Sequence, residues 1–206
     1  MSYADRTRRP PRTLTDDEVK RLLKVSGAHG DTFRDHLIFS LALGCALREH
    51  EISALSVGDV SPDRWSKAKR TIELRVFKGS RQKKGSERVH VPDGAFYKLE
   101  KYVRVICRDR GHKPGDNAPL FPSRLGRHIS TRRLREMFAE WQERAGFEHR
   151  YSFHALRHTS LTNVYRATRN IRLVQRVARH ASLATTTIYE HASESDVAAA
   201  VRGLAS

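Results

Sequence analysis

Apolar residues recur at helical spacing along most of this chain, but between residues 71 and 91 the period drops to two. "TIELRVF" alternates Ile72, Leu74 and Val76 with polar neighbours, and "RVHVP" does the same with Val89 and Val91. Between them lies "KGSRQKKGSE", punctuated by glycine and rich in lysine. Alternation on both sides of a glycine-marked tip predicts a β-hairpin that projects a basic loop. Everything else reads as helix, so the fold class is mainly α with one small antiparallel sheet (α+β).

"TDDEVKRLL" opens a helix, with Thr15 and Glu18 in capping-box spacing and Val19, Leu22 and Leu23 on one face. "TFRDHLIFSLALGCAL" reads as a largely buried helix. In "REHEISAL" Ile52 and Leu55 face the core, while Arg48 and Glu51, three residues apart, share the other side. Helical spacing returns at Asp93 and is broken by the Gly/Pro-rich loop "GHKPGDNAPLFPSRLG". Further helices are expected at about 130–145, 153–167, 171–179, 183–191 and 194–204. Val197, Val201 and Leu204 fall on one face of the last of these. Residues 1–12, with four arginines and Pro10-Pro11, read as a flexible basic arm, and residues 13–206 as one domain.

Charge narrows the partner. Lys and Arg number 39 against 23 acids, a formal net charge of +16 over 206 residues. An excess of that size calls for a polyanion, and nucleic acid fits it better than an acidic lipid surface. No apolar run approaches the ~20 residues of a membrane span and no signal region follows Met1. Cys45 and Cys107 lie far apart in apolar, helix-like stretches, which suits small buried side chains in a reducing cytoplasm. Two thiols are too few for a paired-cysteine zinc module.

The chemistry-bearing residues cluster late in the chain. "YSFHALRHTSLT" puts His154, Arg157 and His158 at the start of one helix, and "ARHASLATTTIYEH" follows with His180, Tyr189 and His191. His154 and His158 stand four apart, as zinc ligands on a helix do. The residue after the first is Ala155 where a zincin has its glutamate base, and Arg157 would set a positive charge beside the metal. No metal and no other cofactor is expected.

"ALREHEISAL", the lysine-tipped hairpin, "HALRH" and "ARHASLATTTIYEH" occur in that order over about residues 13 to 192, and this ordered set resembles the catalytic domain of tyrosine recombinases, the phage-integrase family. The resemblance implies that Arg48 is the first catalytic arginine, with Glu51 as its supporting acid. His154 and Arg157 take the places of the H-x-x-R box, His180 the later His/Trp position and Tyr189 the nucleophile. For the general acid the hairpin tip offers Lys84 first, then Lys83 and Lys78. Lys84 lies eight residues before Pro92, the register of the family's catalytic lysine.

His158 and His191 are expected to play packing or peripheral roles, and Thr185, Thr186 and Thr187 to satisfy a helix end. Two positions depart from the family pattern: Ala46 and Arg179 stand where glycine is common. The Ala46 change is expected to perturb local packing alone, and Arg179 bears on the turn before His180.

The implied activity is site-specific recombination of double-stranded DNA through a 3′-phosphotyrosyl link, by a tetramer on synapsed sites built from protomers monomeric when free. Its place would be the cytoplasm, at the nucleoid. There is room for a short arm but not for the family's N-terminal core-binding domain, as in the short fimbrial phase-switch recombinases or an integrase fragment. The rival readings are a type IB topoisomerase, which shares the chemistry, a non-catalytic DNA-binding regulator and, weakest for want of clustered carboxylates, a metal-dependent nuclease.

Overall fold

Thr15 starts the first helix by closing a capping box. Its hydroxyl accepts from the Glu18 backbone N–H at 3.2 Å, and the Glu18 carboxylate accepts from the Thr15 backbone at 2.8 Å. Two N–H groups that the helix start would leave unpaired are satisfied. The computed structural model describes residues 12–28, 32–61, 68–75, 87–110 (backbone alone at 106–110) and 117–179. Within them α1 is Asp16–Ser26, α2 Phe33–Cys45, α3 Glu49–Ala54 and α4 Val57–Val60. The strands β1 (Thr71–Leu74) and β2 (Glu87–His90) follow, then α5 (Asp93–Arg110), α6 (Thr131–Arg144), α7 (His154–Thr168) and α8 (Ile171–Ala178). The expected mainly helical architecture with one small antiparallel sheet is what the chain adopts. Residues 1–11 of the basic arm, the hairpin tip at 76–86 and the two last expected helices lie outside the described residues.

Residues 12–160 form one compact unit, and the described residues from 161 onward belong to a second. In the first unit α2 is the hub, packed against α1, α3 and α5, while α6 packs on α1 and α3. Leu37, Ile38, Phe39 and Leu41 of α2 are completely buried. Each such side chain contributes about 1.5–3 kcal/mol by leaving water. At the end of α2 Gly44 permits a close approach: a Cβ there would lie 2.8 Å from the Pro92 ring. The exit of β2 can therefore sit directly on the helix. In the sheet Ile72 pairs with Val89 and both are buried, which fits the period-two reading.

Two features were not foreseen. The helix α4 is four residues long, too short for periodicity to register, and it follows from Asp59, which accepts from the Ser56 backbone at 2.8 Å. Asp59 also pairs with Arg75 at 2.7 Å. The Gly/Pro-rich segment, expected as a plain loop, sends Leu120 and Phe121 into the core. The backbone of Leu120 donates to Leu55 at 2.9 Å, and that of Val57 to Ala118 at 2.9 Å. Burying that apolar pair brings the backbone inside, where it needs these partners.

In the second unit Asn170 caps α8 by accepting from the Leu173 backbone at 3.0 Å. The helix ends at Arg179, whose φ of 54° is left-handed and whose N–H closes back on the last turn. That is the conformation for which the family's glycine is suited, here adopted by an arginine.

A polar cluster joins α1, α2 and α5. Ser26 Oγ lies 3.0 Å from His36 Nδ1, Ser40 Oγ donates to the His36 carbonyl at 2.8 Å, and Lys98 Nζ donates to Ser40 Oγ at 3.0 Å. Burial, and secondarily the Lys98 charge, lower the His36 pKa from 6.5 to about 4, with a hydrogen bond to Leu23 opposing. The unfolded chain then takes up a proton near pH 6.5 that the folded chain refuses until about 4. Stability is therefore full above 6.5 and falls as the pH drops toward 4, by about 2–3 kcal/mol from this residue. Urea unfolding at stepped pH should show that fall, and His36→Gln should flatten it whatever the substitution does to stability at neutral pH.

Candidate active site

The turn from α2 into α3 sets the first arginine. Ala46 ends α2 with φ 49°, a left-handed residue, and the extended backbone of Arg48 then leads into α3. The effect of Ala46 is thus in the backbone, not in packing alone as expected. The conformation costs a non-glycine residue roughly 1–2 kcal/mol. Arg48 is the N-cap of α3, and the Glu51 carboxylate accepts from its backbone N–H at 2.7 Å and from its Nη1 at 2.7 Å. Glu51 is completely buried, so its charge is matched by the guanidinium it holds. The Glu51 seen in the sequence as a supporting acid fixes both the backbone and the side chain of Arg48.

The second arginine arrives from far along the chain. Three contacts seat the start of α7. Buried Gln142 clamps the Tyr151 backbone, accepting from its N–H at 2.6 Å and donating to its carbonyl at 3.1 Å. Tyr151 Oη donates to the Glu18 carboxylate at 3.1 Å, and Phe153 packs edge-on against Phe138 at 5.8 Å. Thr159 then accepts from the Leu14 backbone at 2.9 Å. With the helix so held, Arg157 lies 2% exposed and its Nη1 donates to the Ala46 carbonyl. Residues 111 positions apart thus join, and Arg157 meets the turn that carries Arg48.

His154 opens α7 one turn before His158, and the two rings meet edge to face at 4.6 Å. A cleft of about 320 Å³ beside it is lined by Glu49, Arg135, Tyr151, Ser152, Phe153 and His154. His154 reaches solvent, yet its pKa lies below the ordinary histidine value. Partial loss of water around the ring is the main cause; the charges of Arg157 and Arg48 add to it, while Glu49 opposes. Desolvation and the arginines favour the neutral imidazole, the form that can accept a proton, although the same cations weaken it as a base. His50 is likewise lowered by desolvation, and its Nε2 is buried without a hydrogen-bond partner among the described residues.

Of the residues expected from sequence, Arg48, Glu51, His154, Arg157 and His158 are brought together. Lys84 and its alternatives Lys78 and Lys83, with His180, Thr185, Thr186, Thr187, Tyr189 and His191, lie outside the described residues. Sequence reasoning missed Glu49, His50 and Arg135. Glu49 and His50 sit within "REHE", whose alternating charge was a signal; Arg135 lies in a helix full of arginines, where nothing marks it. Among the described residues no group of three His, Cys, Asp or Glu could hold a metal, and no helix is long and apolar enough to cross a membrane.

Residues 12–196 match the model of the Phage integrase family. Tyrosine recombinase XerC of Vibrio parahaemolyticus is 34% identical over 192 residues, covering 91% of this chain and 57% of that protein. The Salmonella typhi XerC is 30% identical over 182 residues, covering 88% and 56%. The chain therefore spans a little over half the length of these relatives. Among solved structures, XerA recombinase superposes with a TM-score of 0.73 at 26% identity, over 94% of this chain and 65% of that one.

Proposed function

Because the chain belongs to the phage integrase family, we propose that it cuts and rejoins double-stranded DNA at specific sites through a 3′-phosphotyrosyl link. The observation that carries this reading is that Arg157 bonds the Ala46 carbonyl, in the turn that leads into Arg48, while Glu51 holds Arg48 and His154 feels the charge of both arginines. Attack on a phosphodiester builds charge on the non-bridging oxygens, and two guanidiniums held in place before the reaction stabilise it without reorganising. Glu51 and the Ala46 carbonyl do that holding.

Tyr189 is the nucleophile in this scheme. Its phenol, with a free pKa near ~10, needs a base and positive surroundings, and His154 serves as the proton acceptor. His180 donates to a non-bridging oxygen, and Lys84 protonates the departing 5′ oxygen, with Lys83 and Lys78 as its alternatives. No nucleotide, metal or other cofactor is required, since the phosphotyrosyl link keeps the bond energy. XerC relatives are named recombinases, and one structure of similar fold, XerH, is described as bound to its difH substrate. By extension this chain acts on synapsed DNA sites as a tetramer of protomers that are monomeric when free, in the cytoplasm at the nucleoid.

The test is covalent trapping on fragments of the DNA from its own genome, in chelator, followed by sequencing of the attached ends. An SDS-resistant adduct on the 3′ side of a recurring sequence is the expected result. Adducts without sequence preference, with relaxation of any supercoiled plasmid, would mark a topoisomerase instead. Binding without any adduct would mark a regulator.

A further inference from the structure

The cleft beside His154 contains an ion pair that the reaction scheme does not use. Glu49, at the first position of α3, points its carboxylate to Arg135 of α6, which grips it two-pronged: Nε donates to Oε2 at 2.9 Å, and Nη2 donates to Oε1. Glu49 is 22% exposed and Arg135 60%. A two-pronged pair across two helices is more than a passing surface contact, because it fixes where the carboxylate lies. It lies in the wall that His154 shares.

The Glu51 carboxylate is engaged by Arg48, and the other charges that act most on His154 are positive. Arg157 comes from its own helix, Arg48 and His50 from the turn and helix beside it, and the His158 ring packs on its edge. Glu49 opposes them, and its own carboxyl is held below the usual carboxylate range chiefly by Arg135. Arg135 thus favours the charged form of Glu49.

We propose that Glu49 is a positioning residue for proton transfer: it counterbalances the arginines so that His154 can both gain and release a proton, and Arg135 limits how strongly it does so. Without Glu49, the arginine field makes the imidazole a weaker base. Without Arg135, the unshielded carboxylate makes it a stronger one. The two members of one ion pair thus have opposite effects, which a merely structural pair would not produce. The consequence for catalysis rests on His154 being the proton acceptor proposed above.

NMR titration of histidine-labelled full-length protein, with the His154 signal identified by its absence in His154→Gln, tests the electrostatic claim directly. Glu49→Gln should lower the His154 midpoint and Arg135→Gln should raise it, each by about half a pH unit, the size expected of one charge several ångströms away at a partly hydrated surface. Glu49→Asp, which keeps the charge, should stay nearer the parent. Shifts in the same direction, or none in either variant, overturn the proposal, as does a Glu49→Asp midpoint no nearer the parent than that of Glu49→Gln. The pH profile of single-turnover DNA cleavage is the second readout. If the NMR midpoints split as expected while the cleavage profiles coincide, Glu49 does set the proton affinity and it is the role of His154 in the reaction that is wrong.

Discussion

Tyr189→Phe leaves the protein able to bind DNA and unable to attach to it. The substitution removes one oxygen, the atom that attacks phosphorus, and with it the only route to a phosphotyrosyl link in the proposed scheme. Binding persists because it draws on phosphate contacts by a chain of net charge +16, none of which the hydroxyl supplies. The measurement is a nicked suicide substrate, on which the departing strand diffuses away and the adduct accumulates, resolved in SDS beside a gel-shift assay at low salt. The adduct should vanish, not merely weaken. An adduct retained by the variant would move the nucleophile elsewhere. Tyr165, half-buried on α7, would then be the next residue to replace.

How far sequence alone reached follows the length of the signal in each element. The hairpin was legible because alternation ran on both sides of its tip, and Ile72 and Val89 do face each other in the sheet. The long helices were legible because 3.6-residue spacing had many turns in which to repeat. By the same reasoning α4 was illegible: four residues contain one turn, and its cause is a single local bond from Ser56 to Asp59. The core placement of Leu120 and Phe121 was hidden for another reason. Flanking Gly and Pro forbid regular structure without saying whether the irregular backbone is inside or outside, and partners at Leu55 and Val57 decide it.

The site divides in the same way. Arg48, His154 and Arg157 could be found because their types and order are distinctive. The sequence held no sign that Arg157 would be buried and bonded to the Ala46 carbonyl, since that contact depends on a left-handed residue and on how α7 is seated. Glu49 and Arg135 form a pair between residues separated by 86 positions, and such pairs leave no local trace.

Arg157→Lys should cost about 100- to 1,000-fold in the cleavage step, comparable to losing one preorganised donor at a developing oxyanion. Lysine keeps the charge, so the loss must come from geometry. A guanidinium has five N–H donors in one plane, and the bond from Nη1 to Ala46 fixes that plane in the turn that presents Arg48. An ammonium is shorter, not planar and strongly hydrated, so it cannot hold the carbonyl and a phosphate oxygen in the same relation. There is a structural cost too. The Ala46 carbonyl belongs to a fully buried residue, and losing the hydrogen bond from Arg157 Nη1 destabilises the fold by about 0.5–1.5 kcal/mol. The two effects separate by substrate. A duplex whose scissile phosphate has one non-bridging oxygen replaced by methyl removes the negative charge that the arginines are needed to bind. If Arg157 acts on that charge, the gap between variant and parent narrows on the neutral duplex. If the variant is merely misfolded, the gap is as wide on both. A melting curve taken in parallel fixes the share that belongs to stability, and a cleavage defect in a variant fully folded at the assay temperature is the share that belongs to the transition state.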